Sequence, residues 1–258
     1  MHHFFVEKNN IRDGKIVIDD AGDYNHAVNV LRLEVGEEIL ISDSEGTDYR
    51  CSVAEIKGKG EECLIASIDE VAEDNHELPA RVILFQCIPK SDKMELIIQK
   101  AVELGVSDIV PVKSKYCVVK LDDKKSSSKT KRWQGIAESA AKQSKRSIIP
   151  TVHEPVDFKT AVEMCEECDV RLIPYEAEEG LTGTCEAIVN FLPGRTIGTI
   201  IGPEGGFAPL EVSMARRHAI TPISLGKRIL RAETAAIAIL SLIMIRLEIA
   251  EGLDLETE

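Results

Sequence analysis

The chain has 258 residues, 31 Lys plus Arg against 44 Asp plus Glu, a formal charge of −13, and 44% hydrophobic but only 4% aromatic residues. That composition excludes general disorder, and the longest largely apolar run, Ala235 to Ile245, falls short of the ~20 residues that cross a bilayer. No membrane-spanning segment and no basic-then-apolar leader are visible, so the expected address is cytoplasmic, and the acidity counts against a nucleic-acid partner until its distribution is known.

In chain order, the N-terminal part reads as short strands: Phe4 to Val6, Lys15 to Ile18, Glu38 to Ser42, Asp48 to Ile56 and Glu62 to Ile68. Turn chemistry separates the later ones, at Asp43-Ser44-Glu45-Gly46 and Lys57-Gly58-Lys59-Gly60. Between them, Tyr24 to Arg32 places apolar residues at 27, 28 and 31, a helical spacing. A small β-barrel with one short helix is the natural construction. Asp69 to Pro79, with five acids and no base, then forms a polar boundary, which divides the chain into domains 1–72 and 73–258.

From Pro79 the period changes. Strand-length apolar runs (Val82 to Cys87, Ile109 to Val112, Val170 to Pro174, Thr196 to Ile201, Pro222 to Leu225) alternate with amphipathic helical segments, the pattern of an α/β domain with a mostly parallel sheet. Ser91 is a candidate N-cap for a helix whose apolar face is Met94, Ile97, Ile98, Ala101 and Leu104 and which ends at Gly105. Lys120 to Lys131 reads as a solvated, flexible charged loop. Trp133, Ile136, Ala137, Ala140 and Ser144 mark a further helix that shows Lys142, Lys145 and Arg146 on its other side. The last helix, Glu233 to Glu251, is apolar nearly all round through Ile245, as befits a helix buried in a core or a subunit interface.

Charge is unevenly spread: residues 1–78 carry −12, 79–112 are neutral, 113–146 carry +8 and 147–258 carry −9. The basic stretch leaves polyanion binding open on an otherwise acidic chain. Seven scattered cysteines argue for reduced thiols rather than a disulfide framework. Cys165-Glu166-Glu167-Cys168 has metal spacing, but no second pair completes a four-ligand site, so no metal is expected.

No dinucleotide-binding, P-loop or nucleophile-elbow motif is present. Ile201-Gly202-Pro203-Glu204-Gly205-Gly206-Phe207 stands instead at the exit of a strand, where open α/β sheets hold their ligands. Its glycines let backbone groups approach a ligand, or simply make a tight strand-to-helix turn. A second exit follows at Leu225-Gly226-Lys227-Arg228-Ile229-Leu230-Arg231-Ala232-Glu233, and the two together define a cleft. Arg228 and Arg231 could hold an anionic group there, or pair with Glu204 or Glu233.

These motifs, with Gln99 to Val106, Phe4-Phe5-Val6, His26 to Arg32, Trp133, Gln143-Ser144 and Arg146 to Pro150, resemble the RsmE family of ribosomal-RNA uridine N3 methyltransferases, in the SPOUT class. The resemblance implies a parallel sheet with a C-terminal trefoil knot, preceded by a PUA-like barrel that binds RNA. It implies S-adenosylmethionine as cofactor, small-subunit (16S) ribosomal RNA as partner, and a homodimer. Carried over by motif, cofactor contacts fall on Leu172, Pro174, Ile201, Gly202, Glu204, Gly205, Gly206, Leu225, Gly226, Ile229, Leu230 and Arg231. Arg228 and Arg231 are the candidates for stabilising the uracil anion, with Glu204 or Glu233 the carboxylates that could serve as base, ranked below the arginines. His26 and Arg32 are candidate RNA contacts, against a partly buried histidine and a surface ion pair. Lys113, Lys115, Arg132, Lys142, Lys145 and Arg146 are candidate phosphate contacts. Two rival readings are a non-catalytic knotted RNA-binding ribosome assembly factor and a related methyltransferase acting on transfer RNA.

Overall fold

The computed structural model describes residues 1–72, 76–118 and 123–255; the boundary expected after residue 72 and the first residues of the expected charged loop, 120–122, abut or lie outside the described residues. The chain folds into two compact units, Met1–Glu77 with Ala141–Ile149, and Leu78–Ala140 with Pro150–Glu258.

The first unit contains β1 (His2–Phe5), β2 (Ile11–Arg12), β3 (Lys15–Ile18), α1 (Ala21–Asn25), β4 (Glu38–Ser42), β5 (Asp48–Lys57) and β6 (Cys63–Ala72). Its ladder runs β1-β4-β5-β6-β3-β2, antiparallel except where β1 lies parallel to β4. Alternate residues of every long strand, among them Ile16, Ile39, Ile41, Val53 and Leu64, point into one core. The β4–β5 turn closes on the Asp43 carboxylate, which accepts the Glu45 and Thr47 amides at 2.9 and 3.0 Å. The helix expected over Tyr24 to Arg32 is displaced. Asp20 accepts the Gly22 and Asp23 amides and so starts α1 at Ala21, a π turn then covers His26–Val30, and Arg32 ends it with a φ of 57°.

Residues 141–149 join this unit through polar contacts. Ser147 Oγ donates to Asp48 Oδ2 at 2.8 Å, the Ser147 and Ile148 amides donate to Glu77 Oε1 at 2.9 and 3.1 Å, and Lys142 pairs with Asp23 at 2.7 Å. Nothing local in the sequence announces these partners.

The second unit alternates strands and helices: β7 (Arg81–Cys87), α2 (Lys93–Glu103), β8 (Asp108–Lys113), α3 (Asp123–Ser144), β9 (Thr151–Val152), β10 (Val156–Asp157), α4 (Phe158–Glu166), β11 (Val170–Pro174), α5 (Thr182–Ile188), β12 (Thr196–Ile201), α6 (Pro209–Arg217), β13 (Thr221–Ile223) and α7 (Ala232–Leu255), with the last residues of α3 belonging to the first unit. The strand order is β10-β8-β7-β12-β11-β13, β9 also lies beside β8, and every pairing is parallel. Central strands β7 and β12 are buried almost throughout, which explains their continuous Val, Ile and Leu.

Two expectations for this unit need correction. Ser91 does not cap α2: its φ is 56°, a left-handed turn, and the helix starts at Lys93 without a side-chain cap. The charged segment 123–131 is helical. Ser126 is buried and donates to Glu154, and the Lys129 ammonium lies 5.7 Å from the Trp133 ring centroid one turn on, so the helix is anchored although its sequence is polar. Cys165 and Cys168 are packing residues: a Cβ added at Gly198 of β12 would meet their sulfurs at 3.0 and 2.8 Å. Among the described residues there is no metal-ligand cluster, all seven cysteines are unpaired, and no helix is long and apolar enough to cross a membrane.

Candidate functional site

The C-terminal ends of β11, β12 and β13 open into a cavity of about 440 Å³. It is lined by Pro174 to Glu176, Ile201 to Phe207, Ser224 to Ala232 and Ala235. Both glycine-containing exits therefore meet at one place. Of the expected cofactor contacts, only Leu172 is absent from this wall: it is a buried residue of β11, and the exit begins at Pro174.

Each wall is held from outside. Gly206 takes a φ of +68°, and a Cβ there would come within 2.6 Å of the Glu176 carboxylate. At Gly205 a Cβ would lie 3.0 Å from Cβ of Tyr116. Tyr116 is held there because the neighbouring Lys115 amide donates to Glu211 Oε1 at 2.8 Å, while Glu211 Oε2 accepts the Ala208 amide and caps α6. On the other wall, Thr184 of α5 donates its hydroxyl to the Ser224 carbonyl at 2.7 Å and fixes the start of the 225–231 loop.

Arg228 and Arg231 line the cavity, are exposed, and have no ion-pair partner among the described residues. The alternative partners Glu204 and Glu233 are engaged elsewhere. Lys93 Nζ, on α2, lies 3.3 Å from Glu204 Oε1 and 3.2 Å from Glu233 Oε2, and the Lys90 amide also donates to Glu204. The Glu233 side chain thus faces Lys93 and stands outside the cavity wall, which counts against it as a base. Burial would raise the Glu204 carboxyl, but its bonds to its own amide, the Lys90 amide and the Lys93 ammonium hold it below its ordinary value. The bond to Glu233 in turn raises the Lys93 ammonium above its ordinary value. Lys93, Glu211 and Tyr116 have no signal in the sequence, since each acts on residues about a hundred positions away.

The candidate RNA contacts divide. His26 and Arg32 are exposed; the His26 ring lies edge-on to Phe4 at 6.5 Å, and Arg32 has no ion pair among the described residues. Lys115 and Lys145 are exposed and Lys113 is half-buried. Arg132 pairs with Glu95 at 2.9 Å and Lys142 with Asp23 at 2.7 Å. Arg146 is 3% exposed and donates to Glu77 through Nε and Nη2, which counts against it as a phosphate contact. A count along the chain sees eleven cations; it cannot see which carboxylates fold onto them.

A family model described as an RNA methyltransferase domain matches residues 76–244, and one described as an RNA methyltransferase PUA domain matches residues 18–65. The chain belongs to this RNA methyltransferase family. The methyltransferase is 34% identical to the ribosomal RNA small subunit methyltransferase E of Bacillus subtilis, with 98% of this chain and 99% of the relative covered. It is 39% identical to the protein of the same name from Mesomycoplasma hyopneumoniae, over 68% of this chain and 74% of that one. The crystal structure of ribosomal RNA small subunit methyltransferase E from Neisseria gonorrhoeae bound to S-adenosyl methionine matches with a TM-score of 0.83 at 28% identity, covering 95% of this chain and 97% of that one. The expected parallel α/β domain and PUA-like module are both borne out.

Proposed function

We propose that this methyltransferase transfers a methyl group from S-adenosylmethionine to N3 of a uridine in small-subunit ribosomal RNA. The observation that carries the reading is a ligand-sized cavity at the strand ends with two arginines in its wall that pair with no carboxylate among the described residues. S-adenosylmethionine supplies an electrophilic methyl group on a sulfonium. A cavity of about 440 Å³ suits a molecule of that size, and the carboxylates of Glu176 and Glu204 in its wall suit its positive charge. Backbone groups of 202–206 and 225–230 would do most of the holding.

Uridine N3 bears a proton and becomes a nucleophile only as the proton leaves. Arg228 or Arg231 beside O2 or O4 favours the anion, and the cavity walls set the line of attack. The target base must leave its stack to reach the cavity, which favours an accessible loop or junction in folded RNA. The expected module 1–72, in a unit that also takes in 141–149, would serve for RNA binding, and the rest of 73–258 as the catalytic domain. The trefoil knot is supported by the course of the chain: after edge strand β13 it passes the 225–231 loop along the cavity, and α7 then packs on α2, an earlier helix. Homodimerisation through α7 is supported by its outward Ile245 and Ile249, 50% and 53% exposed. The enzyme would act in the cytoplasm.

Calorimetry with S-adenosylhomocysteine tests the cofactor assignment: binding is expected, whereas a non-catalytic assembly factor predicts none. Mass mapping of methylated nucleosides in small-subunit ribosomal RNA, from cells lacking the protein and from cells with it restored, tests the target atom. Gly206→Ala is expected to weaken S-adenosylhomocysteine binding about tenfold, because alanine strains the left-handed turn by about 1–2 kcal/mol; unchanged affinity would remove this turn from the binding site. Lys115→Glu is expected to lower RNA affinity and flatten its salt dependence by about one to two phosphate contacts, measured as log K against log salt.

A further inference from the structure

We propose that Lys93 is a positioning residue whose single ammonium clasps the two turns of the cavity together by bridging Glu204 and Glu233; the inference deepens the methyl-transfer reading and rests on it. Glu204 lies in the glycine-rich turn after β12, and Glu233 lies in the first turn of α7, directly after the arginine loop. These segments are neighbours only in space. Lys93 Nζ stands 3.3 Å from one carboxylate and 3.2 Å from the other, and its side chain is 30% exposed. Glu233 Oε2 is buried and has no hydrogen-bond partner among the described residues, so the Lys93 ammonium 3.2 Å away is what balances its charge.

The arrangement has two consequences. With Lys93 in place, two carboxylates and one ammonium leave one net negative charge beside the cavity, and the turns are drawn toward a common centre on α2. Without it, two carboxylates brought within a few ångströms of each other repel in a half-buried setting, and the turns they belong to separate. The clasp also keeps both carboxylates off Arg228 and Arg231, which stay available to the substrate. Lys93 touches neither substrate nor reacting atoms in this scheme and acts through the turns it joins.

The test compares four proteins: wild type, Lys93→Met, Lys93→Arg, and Lys93→Met combined with Glu204→Gln and Glu233→Gln. Methionine keeps the apolar stem and removes only the charge. Amide hydrogen exchange in the ligand-free protein is expected to quicken about tenfold or more in segments 202–206 and 226–234 of Lys93→Met, with other segments unchanged. Lys93→Arg is expected to retain wild-type protection. The triple variant, in which the repulsion is gone, is expected to regain most of it. S-adenosylhomocysteine affinity should fall about tenfold in Lys93→Met and be held within about threefold by Lys93→Arg. Unchanged exchange in Lys93→Met overturns the clasp, as does a triple variant that exchanges as fast as Lys93→Met, because the defect would then be lost packing. Failure of the wild-type protein to bind S-adenosylhomocysteine would sink the methyl-transfer reading, while the exchange comparison would still decide the clasp.

Discussion

Arg231→Ala is expected to lower the rate of methyl transfer by about a hundred- to a thousandfold, the range lost when one donor to a developing anion is removed. The expectation rests on three facts about the site. Arg231 lines the cavity, no carboxylate among the described residues neutralises it, and its two candidate partners, Glu204 and Glu233, are held by Lys93. Its guanidinium is therefore free to meet charge that develops on a substrate. The effect should fall on turnover, with S-adenosylhomocysteine affinity by calorimetry changing much less. Lys is a poor replacement, because a point charge cannot reproduce a planar pair of donors beside a pyrimidine carbonyl. Normal turnover by Arg231→Ala would shift the role to Arg228 alone.

Arg146→Ala is expected to destabilise the protein by about 3–5 kcal/mol, the cost of leaving one member of a buried ion pair without its partner. Glu77 would lose the Arg146 Nε and Nη2 donors while the Ser147 and Ile148 amides still donate to it. Urea unfolding followed by far-UV circular dichroism measures the loss. Arg146→Ala combined with Glu77→Ala should cost less than the sum of the two single changes, since both single changes remove the same ion pair. If Arg146 were a phosphate contact, the single substitution would instead leave stability intact and flatten the salt dependence of RNA binding. The two outcomes are readily told apart.

The two arginines at positions 231 and 146 show how far a linear reading reaches. The place of Arg231 in the cavity wall is legible because its context is local: a strand, a glycine, two arginines at a spacing of three, then a helix start. Arg146 was misread because its context is not local. It sits at the end of a basic stretch, and the carboxylate that buries it lies 69 positions earlier in the chain. The same division runs through the strands and helices. β3, β4, β11 and β12 are where the apolar runs put them, whereas Ser91, a good capping residue by type, is a left-handed turn. The helix over 123–131 was missed because its stability comes from a buried serine contact and a lysine on a tryptophan rather than from an apolar stripe.

The sequence alone determined the α/β class, the small β-barrel ahead of it, the two glycine-containing strand exits and the resemblance to an RNA methyltransferase family, because each is written in residues close together in the chain. It also showed that an overall charge of −13 does not describe every part of the molecule. Only the tertiary structure decided that Arg132, Lys142 and Arg146 of the +8 stretch carry carboxylate partners, that 141–149 belongs with the first unit, and that Lys93 takes both glutamates. Each of these is a pairing between residues far apart in sequence. Electrostatic attraction acts over a few ångströms of space, and separation along the chain carries no record of it.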